Sequence, residues 1–149
     1  EAYYDGLVDG FVPTLDEQGH LTADSVKHIM TSLAQRDSQK LQTRSGDHPF
    51  WLALEQINDR AWVHGELVAL GAVMIAWQAG IGLETLTDRL KKCRVRVRPS
   101  EMGLSREELK KGLEFTPQFM AERDTDSILR HKPIVGERFD ELLGFLESL

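Results

Sequence analysis

The sequence predicts an all-α fold of about six or seven helices. Apolar residues recur at helical spacing in several segments, for example residues 23–35. Ser105 followed by Glu108 matches a capping box, which is typical of a helix start. Residues 95–99 alternate like a strand, but the segment is short and isolated, so we interpret it as a loop or edge segment.

Two helical segments, separated by a turn, are predicted before residue 39. Residues 1–12 carry aromatic and apolar positions that suit a helix, and residues 13–19 are polar and turn-like. Thr22 can cap a helix over residues 23–35. Four apolar residues are expected to form its inward face: Val26, Ile29, Met30 and Leu33.

The middle of the chain predicts two helices after a polar connection over residues 39–46. Asp47 is expected to cap the first of them, with Pro49 tolerated in its first turn. Phe50, Leu54 and Ile57 form its apolar stripe, and the helix should end at Asn58-Asp59. The next helix should run from about residue 64 to 78. Small residues recur along it and predict that it is the central helix, approached closely by a neighbour: Gly65, Ala69, Ala72 and Ala76.

The C-terminal half predicts four further helices. Residues 83–92 are amphipathic, and the capping box should start a helix over residues 106–113. Thr116-Pro117 follows a cap-then-proline pattern and predicts a separate short helix. The last helix should span residues 136–146, with four side chains inward: Phe139, Leu142, Leu143 and Leu146.

Composition narrows the class of protein. With 149 residues and 41% hydrophobic content, residues 1–149 are expected to form a single globular helical domain. A net charge of −6 argues against nucleic acid as a partner. The uncharged run after the central motif is broken by Gly80 and Gly82, which favours a buried helix over a membrane span. Cys93 is the single cysteine and no signal peptide is visible, so we expect a cytoplasmic protein.

Two histidines suggest a metal site. His48 and His64 each stand at a predicted helix start, where the helix dipole favours neutral imidazole, the form that binds metal. A catalytic zinc site usually has three protein ligands, so a third ligand, expected to be a carboxylate, is required. The alternative is two ordinary helix-terminal histidines that satisfy backbone groups.

The surrounding residues resemble a known family. The run His64-Gly65-Glu66-Leu67-Val68-Ala69-Leu70-Gly71 resembles the metal-site motif of the iron-containing alcohol dehydrogenase and dehydroquinate synthase-like superfamily. The upstream Ser45-Gly46-Asp47-His48 is similar to the first-histidine motif of its glycerol-1-phosphate dehydrogenase branch, where Ser-Gly-x-Glu-His is typical. The resemblance covers roughly residues 20–132 and is specific around residues 45–75.

This resemblance implies the all-α, multi-helix C-terminal domain of a two-domain enzyme, here without the family's N-terminal nucleotide-binding domain. It implies His48 and His64 as ligands of a divalent metal, commonly zinc and sometimes iron or nickel. The family's third ligand lies N-terminal to the matching region, and we find no candidate for it in the sequence. The implied chemistry is NAD(P)-dependent oxidation of a small polyol or glycerol phosphate, with the metal polarising the substrate hydroxyl. We expect a homo-oligomer, and no catalytic activity from this chain alone.

At two positions the sequence departs from the family pattern, and these positions affect which substrate and reaction are expected. Leu52 stands where many relatives carry another histidine, which takes part in proton transfer in the synthases. Thr43-Arg44 replaces the Arg-Pro pair usual in the dehydrogenase branch. Leu52 weakens the first alternative, a dehydroquinate synthase-type cyclase domain. The missing third ligand and nucleotide-binding segment favour the second, a stand-alone, non-catalytic helical module.

Other candidates have ordinary structural interpretations. Glu66 is expected to support the site or the fold rather than to bind metal. The cluster Arg130-His131-Lys132 can face a phosphate, but a solvated basic loop is favoured. Three tryptophans are expected in the core or an interface: Trp51, Trp62 and Trp77.

Overall fold

The computed structural model describes residues 9–38 and 46–149, with residues 33–38 described by their backbone alone. The regular secondary structure in these ranges is helical, without a strand, which confirms the all-α class. A 3-10 helix, Val12–Thr14, comes first. Seven α-helices follow: α1 Ala23–Ser38, α2 Asp47–Asn58, α3 His64–Ala79, α4 Leu83–Lys92, α5 Arg106–Glu122, α6 Ile128–His131 and α7 Glu137–Ser148.

The described residues fall into two compact units. One contains residues 9–38 and Arg89–Arg94, and the other contains residues 46–88 and Val95–Leu149. Of the predicted N-terminal helix, residues 9–11 are helical and residues 1–8 lie outside the described ranges. Most of the predicted connection, residues 39–45, also lies outside them, and so do Thr43-Arg44 and Ser45 of the motif.

In the first unit, hydrogen bonds determine which side of α1 is buried. The Thr22 hydroxyl accepts a bond from the Ser25 backbone N–H at 3.2 Å, which confirms Thr22 as the cap. Ser25 is fully buried and its hydroxyl donates to the Thr14 carbonyl at 2.7 Å. The predicted apolar face is therefore wrong for Val26 and Met30, which are 52% and 62% exposed.

Ile29 of the same predicted face is also exposed, and the Leu33 side chain lies outside the description. Ser32 is buried together with Ser25. Polar anchoring to the preceding loop, rather than apolar periodicity, thus orients this helix.

The core of the second unit forms around α2. Phe50 and Leu54 of this helix are fully buried as predicted, whereas Ile57 is 44% exposed and does not join the stripe. α2 packs against both α3 and α5, so α2 rather than α3 is central. Four predicted small residues of α3 are half-buried or exposed: Gly65, Ala69, Ala72 and Ala76. The neighbouring helix approaches at Gly71 instead.

One continuous helix replaces two predicted ones. The capping box is confirmed, because the Ser105 hydroxyl accepts from Glu108 N–H at 3.2 Å and the Glu108 carboxylate accepts from Ser105 N–H at 2.8 Å. α5 then runs through Pro117. The predicted break at Thr116 is therefore wrong. The buried Thr116 hydroxyl donates to the Gly112 carbonyl, one turn earlier in the same helix, at 2.7 Å. The residues after the proline stay helical because Phe119 and Met120 are buried in the core.

The remaining elements follow the local patterns. α4 matches its predicted bounds, and residues 95–99 form a loop. α7 is confirmed, with Phe139, Leu142 and Leu146 buried and Leu143 half-buried. The short helix α6 was not predicted. Among the described helices, none combines the length and apolar character of a membrane-spanning segment.

Candidate functional site

The first turn of α2 packs against the middle of α3 at a close helix crossing. A Cβ atom built on Gly71 would lie 2.9 Å from the Cα of Asp47, closer than a methyl group permits. Gly71 therefore lets the backbone of α2 rest directly on α3. His48 follows Asp47 in α2, and His64 lies two turns before Gly71 on the same face of α3, so α2 packs along the face that carries His64 and brings the two side chains near one another.

Asp47 occupies the first turn of α2 rather than the predicted cap position. Gly46 is the cap residue and supplies no side-chain bond. The Asp47 carboxylate instead accepts the His48 backbone N–H at 2.8 Å, and the same oxygen lies 3.2 Å from His48 Nδ1. If Nδ1 carries the proton and donates to Asp47, the Nε2 lone pair is left for a cation.

The structure brings the two predicted ligands together. The ring centroids of His48 and His64 are 5.4 Å apart, with their planes at 65°. A zinc–nitrogen bond of about 2.0–2.1 Å places two tetrahedral imidazole ligands with centroids about 5 Å apart. The observed separation fits two imidazoles on one ion. The His48 side chain is 55% exposed, so the pair is open to solvent and to a ligand.

The Trp51 ring packs against both imidazoles. The Trp51 ring centroid lies 4.1 Å from that of His64 and 6.3 Å from that of His48, edge-on to both. Trp51 is half-buried, which agrees with the expected core or interface position. Its contact with both histidines was missed, although His48 and Trp51 stand three residues apart and so share a helix face.

The described ranges supply two candidate ligands and no third. Among them, no group of three His, Cys, Asp or Glu side chains is placed to hold a metal ion. A catalytic zinc site needs one more protein ligand than this pair provides. The described residues thus offer at most two protein ligands, His48 and His64, to an ion at this position.

Glu66 forms an ion pair with Arg96 and does not contact the two histidines through any described hydrogen bond. Its carboxylate accepts from Arg96 Nε at 2.6 Å, and Arg96 also donates to the Glu101 carbonyl at 3.2 Å. The hydrogen bond to Glu66 raises the pKa of the Arg96 guanidinium. Glu66 therefore ties the first turn of α3 to the loop of residues 95–99, which fits its expected supporting role.

The basic cluster lies at the far end of α3. Gln78 donates to the Lys132 carbonyl at 2.9 Å, and Gln78 is about 21 Å along the helix from His64. His131 is hydrogen-bonded to Asp126, and this bond lowers the pKa of the Asp126 carboxyl. His131 and Lys132 are exposed, which supports the interpretation of the cluster as a solvated surface.

Comparison with known proteins gives partial matches. Over 79 residues the chain is 38% identical to glycerol-1-phosphate dehydrogenase [NAD(P)+] of Saccharolobus islandicus and to the enzyme of the same name from Saccharolobus solfataricus. The Sulfolobus acidocaldarius enzyme is 33% identical over 79 residues. Each match covers 53% of this chain and 22% of the relative, so the chain matches about a fifth of the relatives' length. No protein-family model matches the chain. No solved structure matches it significantly.

Proposed function

We propose that residues 1–149 are the helical, metal-binding domain of an NAD(P)-dependent polyol or glycerol-1-phosphate dehydrogenase. The observation that carries the proposal is the His48–His64 pair, with its ring centroids 5.4 Å apart at the starts of two crossing helices. The names of the relatives support the reaction class and the nucleotide. Zinc is the proposed metal, with iron and nickel as the alternatives.

His48 and His64 would hold the cation, and Asp47 would keep His48 in the tautomer that binds it. When bound, the cation would supply Lewis-acid polarisation of a substrate hydroxyl, and NAD(P) would supply the hydride acceptor. We assign the third metal ligand and the nucleotide site to parts of the protein other than the residues described here. We assign no catalytic residue to this chain.

Two alternatives differ in their support. Leu52, 42% exposed and one turn after His48, offers no group for proton transfer, which disfavours a dehydroquinate synthase-type cyclase. A non-catalytic helical module is favoured by the absence of a third donor among the described residues. Metal binding separates this module from the proposed dehydrogenase domain.

Zinc titration of the 149-residue chain tests the ligand assignment. We expect His48→Ala and His64→Ala each to lower zinc affinity by at least about tenfold, since each removes one of two imidazole ligands. His131→Ala is the matched control, because His131 is an exposed residue of α6 that pairs with Asp126, and its neighbour Lys132 contacts Gln78 near the other end of α3. Wild-type affinity in either site variant would overturn the assignment.

A further inference from the structure

Different contacts fix the orientation of the His48 and His64 rings. His48 Nδ1 lies 3.2 Å from an Asp47 carboxylate oxygen. Among the described residues, no hydrogen bond holds the His64 ring. Metal-binding histidines usually donate their second ring N–H to a carboxylate, a carbonyl or water, which fixes the ring. The His64 imidazole therefore needs another restraint.

The Trp51 ring provides such a restraint. Its centroid is 4.1 Å from that of His64, with the planes at 69°, an edge-on aromatic contact. Trp51 is on α2, one turn after His48, whereas His64 begins α3. The contact thus links the helix that carries one imidazole to the imidazole of the other helix. Rotation of the His64 side chain away from His48 would break it.

From this arrangement we infer that Trp51 is a positioning residue, which holds the His64 imidazole beside that of His48 for a shared divalent cation. The inference rests on the proposed function of the histidine pair. It concerns the aromatic ring of Trp51 rather than its indole N–H, because Nε1 is buried without a hydrogen-bond partner among the described residues. A phenyl ring should therefore replace much of the effect.

Trp77 offers a matched control within the chain. It is half-buried like Trp51. Unlike Trp51, it lies on α3, about 20 Å along the helix from His64. The Arg138 guanidinium lies over its ring, 3.9 Å from the ring centroid. Trp77→Ala removes a side chain of the same size and similar burial without touching the histidine pair.

The test measures zinc affinity of the 149-residue chain by calorimetric titration. We expect Trp51→Ala to weaken binding about tenfold, the lower end of the loss usual when a supporting group is removed. Trp51→Phe should stay within about threefold of wild type, and Trp77→Ala should match it. Wild-type affinity in Trp51→Ala would overturn the inference. A loss in Trp51→Phe equal to that in Trp51→Ala would also overturn it, since the N–H would then matter.

A second measurement, proton NMR, tests the contact between Trp51 and His64 without metal and without the Trp51→Ala variant. In proton NMR of the metal-free chain, the ring current of Trp51 should shift the His64 ring protons from their usual positions. Trp51→Leu should abolish the shift, and Trp77→Ala should leave it. An unchanged spectrum in Trp51→Leu would refute the contact.

The zinc titrations distinguish the two proposals. If His48→Ala and His64→Ala both bind zinc like wild type, the proposed function fails. If they lose zinc while Trp51→Ala keeps it, the positioning role alone fails.

Discussion

Gly71 of α3 lies directly against Asp47 of α2. A Cβ atom at Gly71 would be 2.9 Å from the Asp47 Cα and 3.2 Å from its carbonyl oxygen. The obstacle is backbone, which cannot rotate away as a flexible side chain can. The separation of α2 from α3 at this contact, and with it the separation of His48 and His64, therefore depends on the absence of a side chain at Gly71.

We expect Gly71→Ala to push α2 away from α3, to cost about 1–3 kcal/mol in the free energy of unfolding and to weaken zinc binding. Gly65→Ala is the control on the same helix, since a Cβ atom there meets nothing within 4 Å. Gly65→Ala should be neutral or stabilise the chain by up to about 1 kcal/mol, through helix propensity. Urea denaturation and zinc titration measure both effects. Equal stability of the two variants would contradict the close crossing.

Glu66 should be dispensable for metal binding. Its carboxylate is held by Arg96, so Glu66→Gln is expected to leave zinc affinity within about twofold of wild type, unlike the tenfold effect of a lost ligand or supporting group. The same titration that tests the histidines measures it. A tenfold loss in Glu66→Gln would instead place the carboxylate at the metal.

The crossing of α2 and α5 should also resist the addition of a methyl group. A Cβ atom at Gly112 would lie 2.3 Å from Leu54 Cδ1 and 3.3 Å from Leu54 Cα, and Leu54 is fully buried. Gly112→Ala is therefore expected to destabilise the chain by about 1–3 kcal/mol. Gly144→Ala on α7, where a Cβ atom meets nothing within 4 Å, is the control. Thermal unfolding of both variants compares them, and a Gly112→Ala variant as stable as Gly144→Ala would be inconsistent with this packing.

The capping box of α5 should make stability depend on pH. The backbone hydrogen bond from Ser105 lowers the pKa of Glu108, and the Arg60 side chain assists by a bond at 2.9 Å. Because the folded state prefers the ionised form, the contribution is complete above the usual glutamate pKa of about 4.3. It is lost as the pH falls through the lower pKa of the folded state.

Glu108→Gln isolates this contribution from those of other carboxyl groups. At neutral pH the wild type should be more stable than the variant, and the gap should shrink as the pH falls below about 4. Urea denaturation of the two proteins across this range measures the gap. A difference that stayed constant with pH would show that the Glu108 charge does not contribute. Ser105→Ala should cost about 1 kcal/mol at neutral pH, through loss of the cap.

Much of the helical content was predictable because its signals are local. Caps and helical spacing place α1, α3, α4 and α7 to within a few residues, and the capping box marks the start of α5. Pro117 misled the prediction because its missing N–H is a local signal for a break, whereas the burial of Phe119 and Met120 keeps the helix intact. Periodicity likewise could not reveal that buried Ser25 anchors α1 with Val26 outward.

The sequence by itself determined that the chain is helical, and its motifs singled out His48 and His64 as candidate ligands. These properties depend on residues close together in the chain. Tertiary structure decided that the two imidazoles are neighbours, because the close crossing at Gly71 packs the start of α2 along the face of α3 that carries His64. It also placed Trp51 against His64 and α2 at the centre. Such contacts join separate helices, and the choice among the ways of packing them is made by shape and burial, which no local pattern encodes.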